Sequence, residues 1–401
     1  MDARRMKRVR RRRWIGATLA AACGVCAPTY SLAQEPKPFA FETPATTAYV
    51  IDAETRTVLY EKAPDDRFEP ASLAKIMTVE TVLDAMQKGE ATAETPYPVS
   101  DHAWRTGGAP SRTATMFAAV RSSIPVEALL RGVMVQGAND ASIILGEGLA
   151  GTESAFALRM NQRAGELGLR NSHFVNPTGL PAEGQYTTAR DIGLLSSHVR
   201  QAYPSWYLFY AQPEFEWNKV RQRNRNPLLR GNIGVTGLAT GFAEGQGYSI
   251  SALMETDGRA TVAVLGGFSS DSVRTKETER LLVWARDNFE KRTLFAQAAA
   301  AGYASVYGGL ETSVPLVLKQ DLVAYVPKGR ADLVRAEIRY DAPLHAPIEK
   351  DERIGSLQVT VDGKPVLDAD LFAGAAVHEG SFSSRAIGAA QELAFGWIRR
   401  L

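Results

Sequence analysis

The stretch from Val235 to Arg292 confines what this chain can fold into more than any other. "GYSISALM" and "ATVAVLGGF" read as adjacent strands, and "ETERLLVWARDNFEKR" reads as a helix lying over them. Just before them stands "VTGLATGF", where small residues crowd Gly237 to Gly241. Such crowding marks a place where a chain turns or lets something approach its backbone closely. Two readings stand for it: a turn leading into a strand, or a binding edge that carries no charge.

The region before this stretch mixes both element types. "TTAYVIDAETRTVLYEK" reads as a hairpin with polar turn residues between two half-apolar runs. "SLAKIMTVETVLDAM" places Leu73, Ile76, Met77, Val82, Leu83 and Met86 on one helical face. "IPVEALLRGVMVQ" and "ASIILGEGLAG" are two apolar helices separated by "GAND", and "TESAFALRMNQRAGELGL" is an amphipathic helix ended by glycine. After about residue 296 the texture changes to short alternating runs, with a hairpin-turn signal at Asp362-Gly363, so a small all-β domain is expected. The last segment, "SFSSRAIGAAQELAFGWIRRL", sets Ile387, Leu393, Phe395, Trp397, Ile398 and Leu401 among bases. It suits either an amphipathic helix in a membrane interface or a terminal helix packed on its own domain.

The opening residues, "MDARRMKRVRRRRW", carry eight bases and one acid, followed by a short apolar run and small residues at Ser31 and Ala33. That is the order of a secretory signal, with cleavage expected after Ala33. The apolar run is shorter than the roughly 20 residues needed to span a bilayer. The arginine run leaves both the general and the twin-arginine export routes open. Of the 46 Lys and Arg and 44 Asp and Glu in the chain, this leader holds eight and one, so the remainder is acidic by five charges. No basic face is left to imply a nucleic-acid partner. Both cysteines, Cys23 and Cys26, lie in the leader, which excludes disulfide and thiol chemistry from the mature chain. The five histidines lack metal-ligand spacing and read as surface or loop residues.

Three short constellations could carry chemistry. In "EPASLAKIMT", Ser72 and Lys75 are three apart at the start of a helix and share a face. A serine hydroxyl needs a base beside it, and a lysine serves when burial and positive neighbours lower its proton affinity. The helix N-terminus adds donors for a developing oxyanion. The bland reading is a serine cap and a surface lysine, but the apolar surroundings of Lys75 argue against open solvent. Gly137-Ala138-Asn139-Asp140 lies between two apolar helices, where Asn139 could meet a ligand or an Asn or Asp could cap the following helix. Ala239-Thr240-Gly241 begins a strand whose edge could pair with a peptide, and Thr240 offers a hydroxyl to a carboxylate.

The order helix, inter-helix loop, edge strand resembles the active-site serine group with S-x-x-K, S-x-N and K-T-G elements. More narrowly, the chain resembles the low-molecular-mass D-alanyl-D-alanine carboxypeptidases, the class C penicillin-binding proteins of peptidase family S11. "PASLAKIMT", "AWRTGGAPSRTATMF", "LLRGVMVQGANDA", "MNQRAGELGLRNSHFVNPTGLP", "TARDIGLL" and "NRNPLL" carry the likeness, which covers about residues 45–401. It implies an α+β penicillin-binding/serine β-lactamase-like transpeptidase fold, an antiparallel sheet with a helical subdomain, followed by a small all-β domain. The implied divisions are a signal peptide at 1–33, a catalytic domain at 34–295, a β-rich domain at 296–380 and an amphipathic anchor at 381–401.

The resemblance also implies a periplasmic enzyme that needs no cofactor or metal. Its substrate would be the peptidoglycan stem peptide, with β-lactams as covalent ligands and the inner-membrane surface met through the C-terminal helix. Ser72 matches the nucleophile, Lys75 the general base, Asn139 the substrate-contacting amide, and Thr240 and Gly241 the strand element. Arg274 matches an arginine near the substrate's terminal carboxylate. Backbone N–H groups of Ser72 and of a residue near Phe242 would form the oxyanion hole. Two positions depart: Gly137 stands for the serine of S-x-N and Ala239 for the lysine of K-T-G. That lysine binds the carboxylate and keeps the base neutral by repulsion, so substrate capture and the base are both expected to weaken. A working or slow carboxypeptidase therefore competes with an impaired homologue that binds peptidoglycan or an envelope partner. A β-lactamase fits less well, lacking a general-base glutamate and asparagine pair and carrying a β-rich tail.

Overall fold

The computed structural model describes residues 40–381. The signal peptide expected over 1–33 lies outside the described residues, as does all but the first residue of the segment expected over 381–401. The "TTAYVIDAETRTVLYEK" run forms the antiparallel hairpin Thr47–Asp52 and Val58–Lys62. Its first strand pairs with Arg259–Phe268, which pairs with Gly247–Thr256, which pairs with Val235–Ala243. Among the described residues these five strands make one antiparallel sheet, with Val235–Ala243 at an edge. "VTGLATGF" is thus strand rather than turn.

Arg259–Phe268 is buried at nearly every position, which requires cover on both faces of the sheet. Helices Ala189–Ala202 and Asp271–Asn288 both pack against that strand. Ile192 and Leu195 of the first join Tyr49, Ile51, Val262 and Val264 in the main core. The second buries Leu281, Leu282 and Ala285. The run read as a single covering helix stops at Asn288, and Phe289–Phe295 is a strand paired antiparallel with Leu322–Pro327. Pairing with a distant strand overrides the local helical pattern there.

The segment read as one apolar helix at "IPVEALLRGVMVQ" is also interrupted. Val126–Arg131 is α-helical, and Gly132–Gln136 widens into a π-helical turn that ends at Gly137. Such turns concentrate at functional sites. Helix Ala74–Gln87 was expected to show one apolar face, yet it is buried at almost every residue. Two of its polar side chains are met from within the fold: Thr78 Oγ1 donates to the Pro177 carbonyl at 2.7 Å and Arg163 Nε donates to Glu80 Oε1 at 2.8 Å. His198, expected on the surface or in a loop, sits on helix Ala189–Ala202 with Nε2 3.3 Å from the buried Glu80 carboxylate.

Beyond the main sheet, a six-stranded sheet closes on its own core of Ala304, Val314, Leu316, Leu357, Val359 and Leu371. Its hairpin Arg353–Val361 to Lys364–Ala373 turns at Asp362 and Gly363, both with positive φ, as an Asp-Gly pair favours. The separate strand Leu322–Pro327 meets the larger body where Tyr325 N donates to Thr57 Oγ1 at 3.2 Å and the Arg259 guanidinium lies 3.9 Å above the Tyr325 ring. Among the described residues no helix is long and apolar enough to cross a membrane. The core that holds the sheet to its helices is directly testable: Leu195→Ala should cost about 2–5 kcal/mol, read as a lower denaturant midpoint at unchanged slope.

Candidate active site

Pro70-Ala71-Ser72-Leu73 makes a single 3-10 turn that runs straight into helix Ala74–Gln87. Ala71 has φ +46°, a left-handed conformation for a residue with a Cβ, and such strain collects at functional sites at about 1–3 kcal/mol each. The turn puts Ser72 and Lys75 side by side, with Lys75 Nζ 3.0 Å from Ser72 Oγ and 2.6 Å from the Thr178 carbonyl. That carbonyl is held by the Asn176 turn, where Asn176 Oδ1 accepts from the Thr178 and Gly179 N–H groups. Lys75 is only 3% exposed. Burial, and secondarily the positive charge of Arg225, bring its pKa down to about 7. Near neutral pH much of it is a free amine able to take a proton from Ser72.

Asn139 opens helix Asn139–Ala150, and no side chain caps that helix. Its Nδ2 donates to Thr113 Oγ1 at 3.0 Å, while its Oδ1 is buried without a partner. Asp140 faces the other way and holds the preceding loop, accepting from Thr115 Oγ1 at 2.6 Å and from the N–H groups of Met116 and Ala118. The Asn-Asp pair therefore divides its labour, one residue fixing a loop and the other left with an open acceptor.

The edge strand Val235–Ala243 lies against the Ser72 turn. A Cβ at Gly241 would sit 2.7 Å from Ser249 Oγ and 3.3 Å from the Ala71 Cβ, so a side chain there would displace the Ser249 hydroxyl and crowd the Ser72 turn. Thr240 beside it is half-buried. Arg274, in the first turn of helix Asp271–Asn288, is 3% exposed and ion-paired through Nη2 to Asp271, while its Nε is buried without a partner. Ser72, Lys75, Asn139, Thr240, Gly241 and Arg274 all line one cleft of about 480 Å³.

The two departing positions line the same cleft. Gly137 has φ +66°, and no atom lies within 4 Å of where its Cβ would be. A side chain there has room but bears the left-handed backbone cost of about 1–2 kcal/mol. Ala239 is half-buried and packs against the core. The cleft also contains residues that the motifs did not announce: Arg225, Asp271 and Tyr210, the last with a buried hydroxyl that has no partner. "NRNPLL" was noted only for its likeness. The polar-basic-polar alternation around Arg225, with asparagines that turn out to be buried on both sides, was the available signal.

Residues 32–269 match the family described as D-alanyl-D-alanine carboxypeptidase, and residues 289–379 match the one described as penicillin-binding protein 5, C-terminal domain. The chain is 32% identical to D-alanyl-D-alanine carboxypeptidase DacA of Escherichia coli K12 over 347 residues, 86% of each chain. Among solved structures, penicillin-binding protein 5 from Haemophilus influenzae superposes with a TM-score of 0.73 at 31% identity, covering 85% of this chain and 99% of that one. Penicillin-binding protein D2 from Listeria monocytogenes, solved in an ampicillin-bound form, gives 0.54 at 26% identity over 62% of this chain and 99% of that one. With the family matched across most of its larger body and a relative of that identity aligned along most of its length, the chain belongs to the D-alanyl-D-alanine carboxypeptidases of peptidase family S11, a family of serine-type hydrolases.

Proposed function

We propose that this protein removes the terminal D-Ala from peptidoglycan stem pentapeptides through an acyl-enzyme on Ser72. The observation that carries the reading is the buried amine of Lys75, 3.0 Å from Ser72 Oγ and with its pKa near 7. Ser72 Oγ passes its proton to Lys75 Nζ as it bonds to the penultimate D-Ala carbonyl carbon. The oxyanion would rest on the backbone N–H groups of Ser72 and of a residue near Phe242. The C–N bond then breaks, and the leaving amine takes the proton from Lys75. Water attacks the ester carbon, gives a proton to Lys75, and Ser72 Oγ leaves and recovers it. Asn139, through its unpartnered Oδ1, receives a substrate amide N–H, and Thr240 and Arg274 face the terminal carboxylate.

Gly137 supplies no hydroxyl to carry the proton to the leaving nitrogen, which slows the enzyme. The loss of one such polar group costs on the order of 10²–10³ in rate where it has been removed from comparable sites. An impaired homologue that binds peptidoglycan or an envelope partner is the second reading. Gly137 and Ala239 favour it, and so does Arg274, whose charge is already matched by Asp271. In either case the leader at 1–33 would export the chain to the periplasm, and the segment 381–401 would rest on the outer face of the cytoplasmic membrane.

Incubation with a peptide ending in D-Ala-D-Ala should release D-Ala above a Ser72→Ala control, and equality of the two would sink the enzymatic reading. The rate should climb through a midpoint of about pH 7 and level off above it, because Lys75 acts only once it has lost its proton. By analogy with the ampicillin-bound relative, penicillin should add its mass to Ser72, and an intact-mass spectrum without that adduct would favour the impaired homologue. Gly137→Ser with Ala239→Lys should raise penicillin acylation by about 10–100-fold, within the range of a regained electrostatic group less the backbone cost at residue 137. An unchanged rate would mean that the cleft has diverged elsewhere.

A further inference from the structure

The absence of a lysine at Ala239 leaves open which charge faces the base. Arg225 lies in the same cleft as Ser72, Lys75 and Ala239. Its backbone is fixed on three sides. Arg225 N donates to the Val135 carbonyl at 3.0 Å. The flanking Asn224 and Asn226 are buried: Asn224 Nδ2 donates to the Tyr210 and Gln212 carbonyls, and Asn226 Nδ2 donates at 2.9 Å to the carbonyl of Gly237 on the edge strand. Asn226 N in turn donates to Asn224 Oδ1 at 2.9 Å. The segment is thus tied both to the π-helical turn and to the strand that bears Ala239, while Arg225 itself is an exposed residue. Among the described residues no carboxylate forms an ion pair with it.

The other charges around Lys75 do not offer the same thing. Arg274 lines the cleft as an ion pair with Asp271, so the two largely cancel at a distance. Tyr210 and Tyr248 line the cleft but supply no cationic group. The turn at Thr178 presents only its carbonyl. The next charge along the helix of Lys75 is Glu80, which is bound to Arg163 and approached by His198.

We propose that Arg225 is a positioning residue of this reaction: tethered to the cleft wall through its backbone, it is the cation that faces Lys75 in place of the lysine absent at Ala239, and it holds Lys75 as a free base. The inference rests on Ser72 and Lys75 being the acylating pair. The direction of the shift at Lys75, in which Arg225 is the one charged contributor, agrees with it.

The test compares wild type, Arg225→Gln and Arg225→Lys in two readouts across pH 5.5–9.5: the rate of acylation by a fluorescent penicillin, and the NMR titration of Lys75 in protein labelled with 13C-lysine. The resonance is assigned by its disappearance in Lys75→Met. In Arg225→Gln both midpoints should rise by about half to one pH unit, the size of a partly screened charge across a cleft. Acylation then falls about 3–10-fold at pH 6, with the loss shrinking as the pH rises, and Arg225→Lys restores both midpoints. Midpoints that stay within about 0.2 unit overturn the proposal, even if the rate falls at every pH, since that pattern marks a structural role. Failure of Arg225→Lys to restore them overturns it as well. If the wild type takes up no penicillin at any pH, the acylation reading fails, while the NMR midpoint still decides whether Arg225 acts on Lys75.

Discussion

Everything in the cleft depends on one buried amine. Lys75 is shut away from water between the Ser72 hydroxyl and the Thr178 carbonyl, and a charge placed there would lose most of its solvation. The surrounding fold serves that placement. Helix Ala74–Gln87 is buried on all sides, the Asn176 turn fixes the carbonyl that receives Lys75, and the strained residue Ala71 aims Ser72 at the same point. Burial alone accounts for most of the fall in proton affinity, so the base does not rest wholly on a second lysine. The expectation that Ala239 weakens the base concerns the smaller contribution, because burial, the larger cause, does not depend on that position.

Charge in the cleft is arranged in two corners of different character. At one, Arg274 is buried and matched by Asp271, so a ligand carboxylate would have to compete with a carboxylate already in place. At the other, Arg225 is exposed and tethered only through its backbone and neighbours. Gly137 and Ala239 line the same cleft, with open room where a Cβ at Gly137 would be. Asn139 Oδ1, the Tyr210 hydroxyl and Arg274 Nε are buried there without a partner, a costly state for polar groups in a protein interior.

Much of this was legible from the residues. Ser72 and Lys75 could be paired because three-residue spacing at a helix start has a fixed geometry. The adjacent strands, the Asp-Gly hairpin and the amphipathic helix Glu153–Glu166 follow from local patterns. The edge character of "VTGLATGF" was one of two readings, and it could not be settled locally because a glycine-rich run looks alike in a turn and in a strand. The π-helical turn before Gly137, the burial of the central helix on every side and the strand at Phe289 were not legible. Each depends on neighbours far away in the chain.

The sequence by itself determined the type of chemistry and the elements that carry it, since residue identity and short spacing decide which groups can share a face. Only the tertiary structure decided their environment: that Lys75 is sealed from water, that Arg274 is spent on Asp271, and that Arg225 lines the same cleft as Ala239. Desolvation and through-space charge depend on distances between segments more than a hundred residues apart, as at Lys75 and Thr178, and no local pattern encodes those distances.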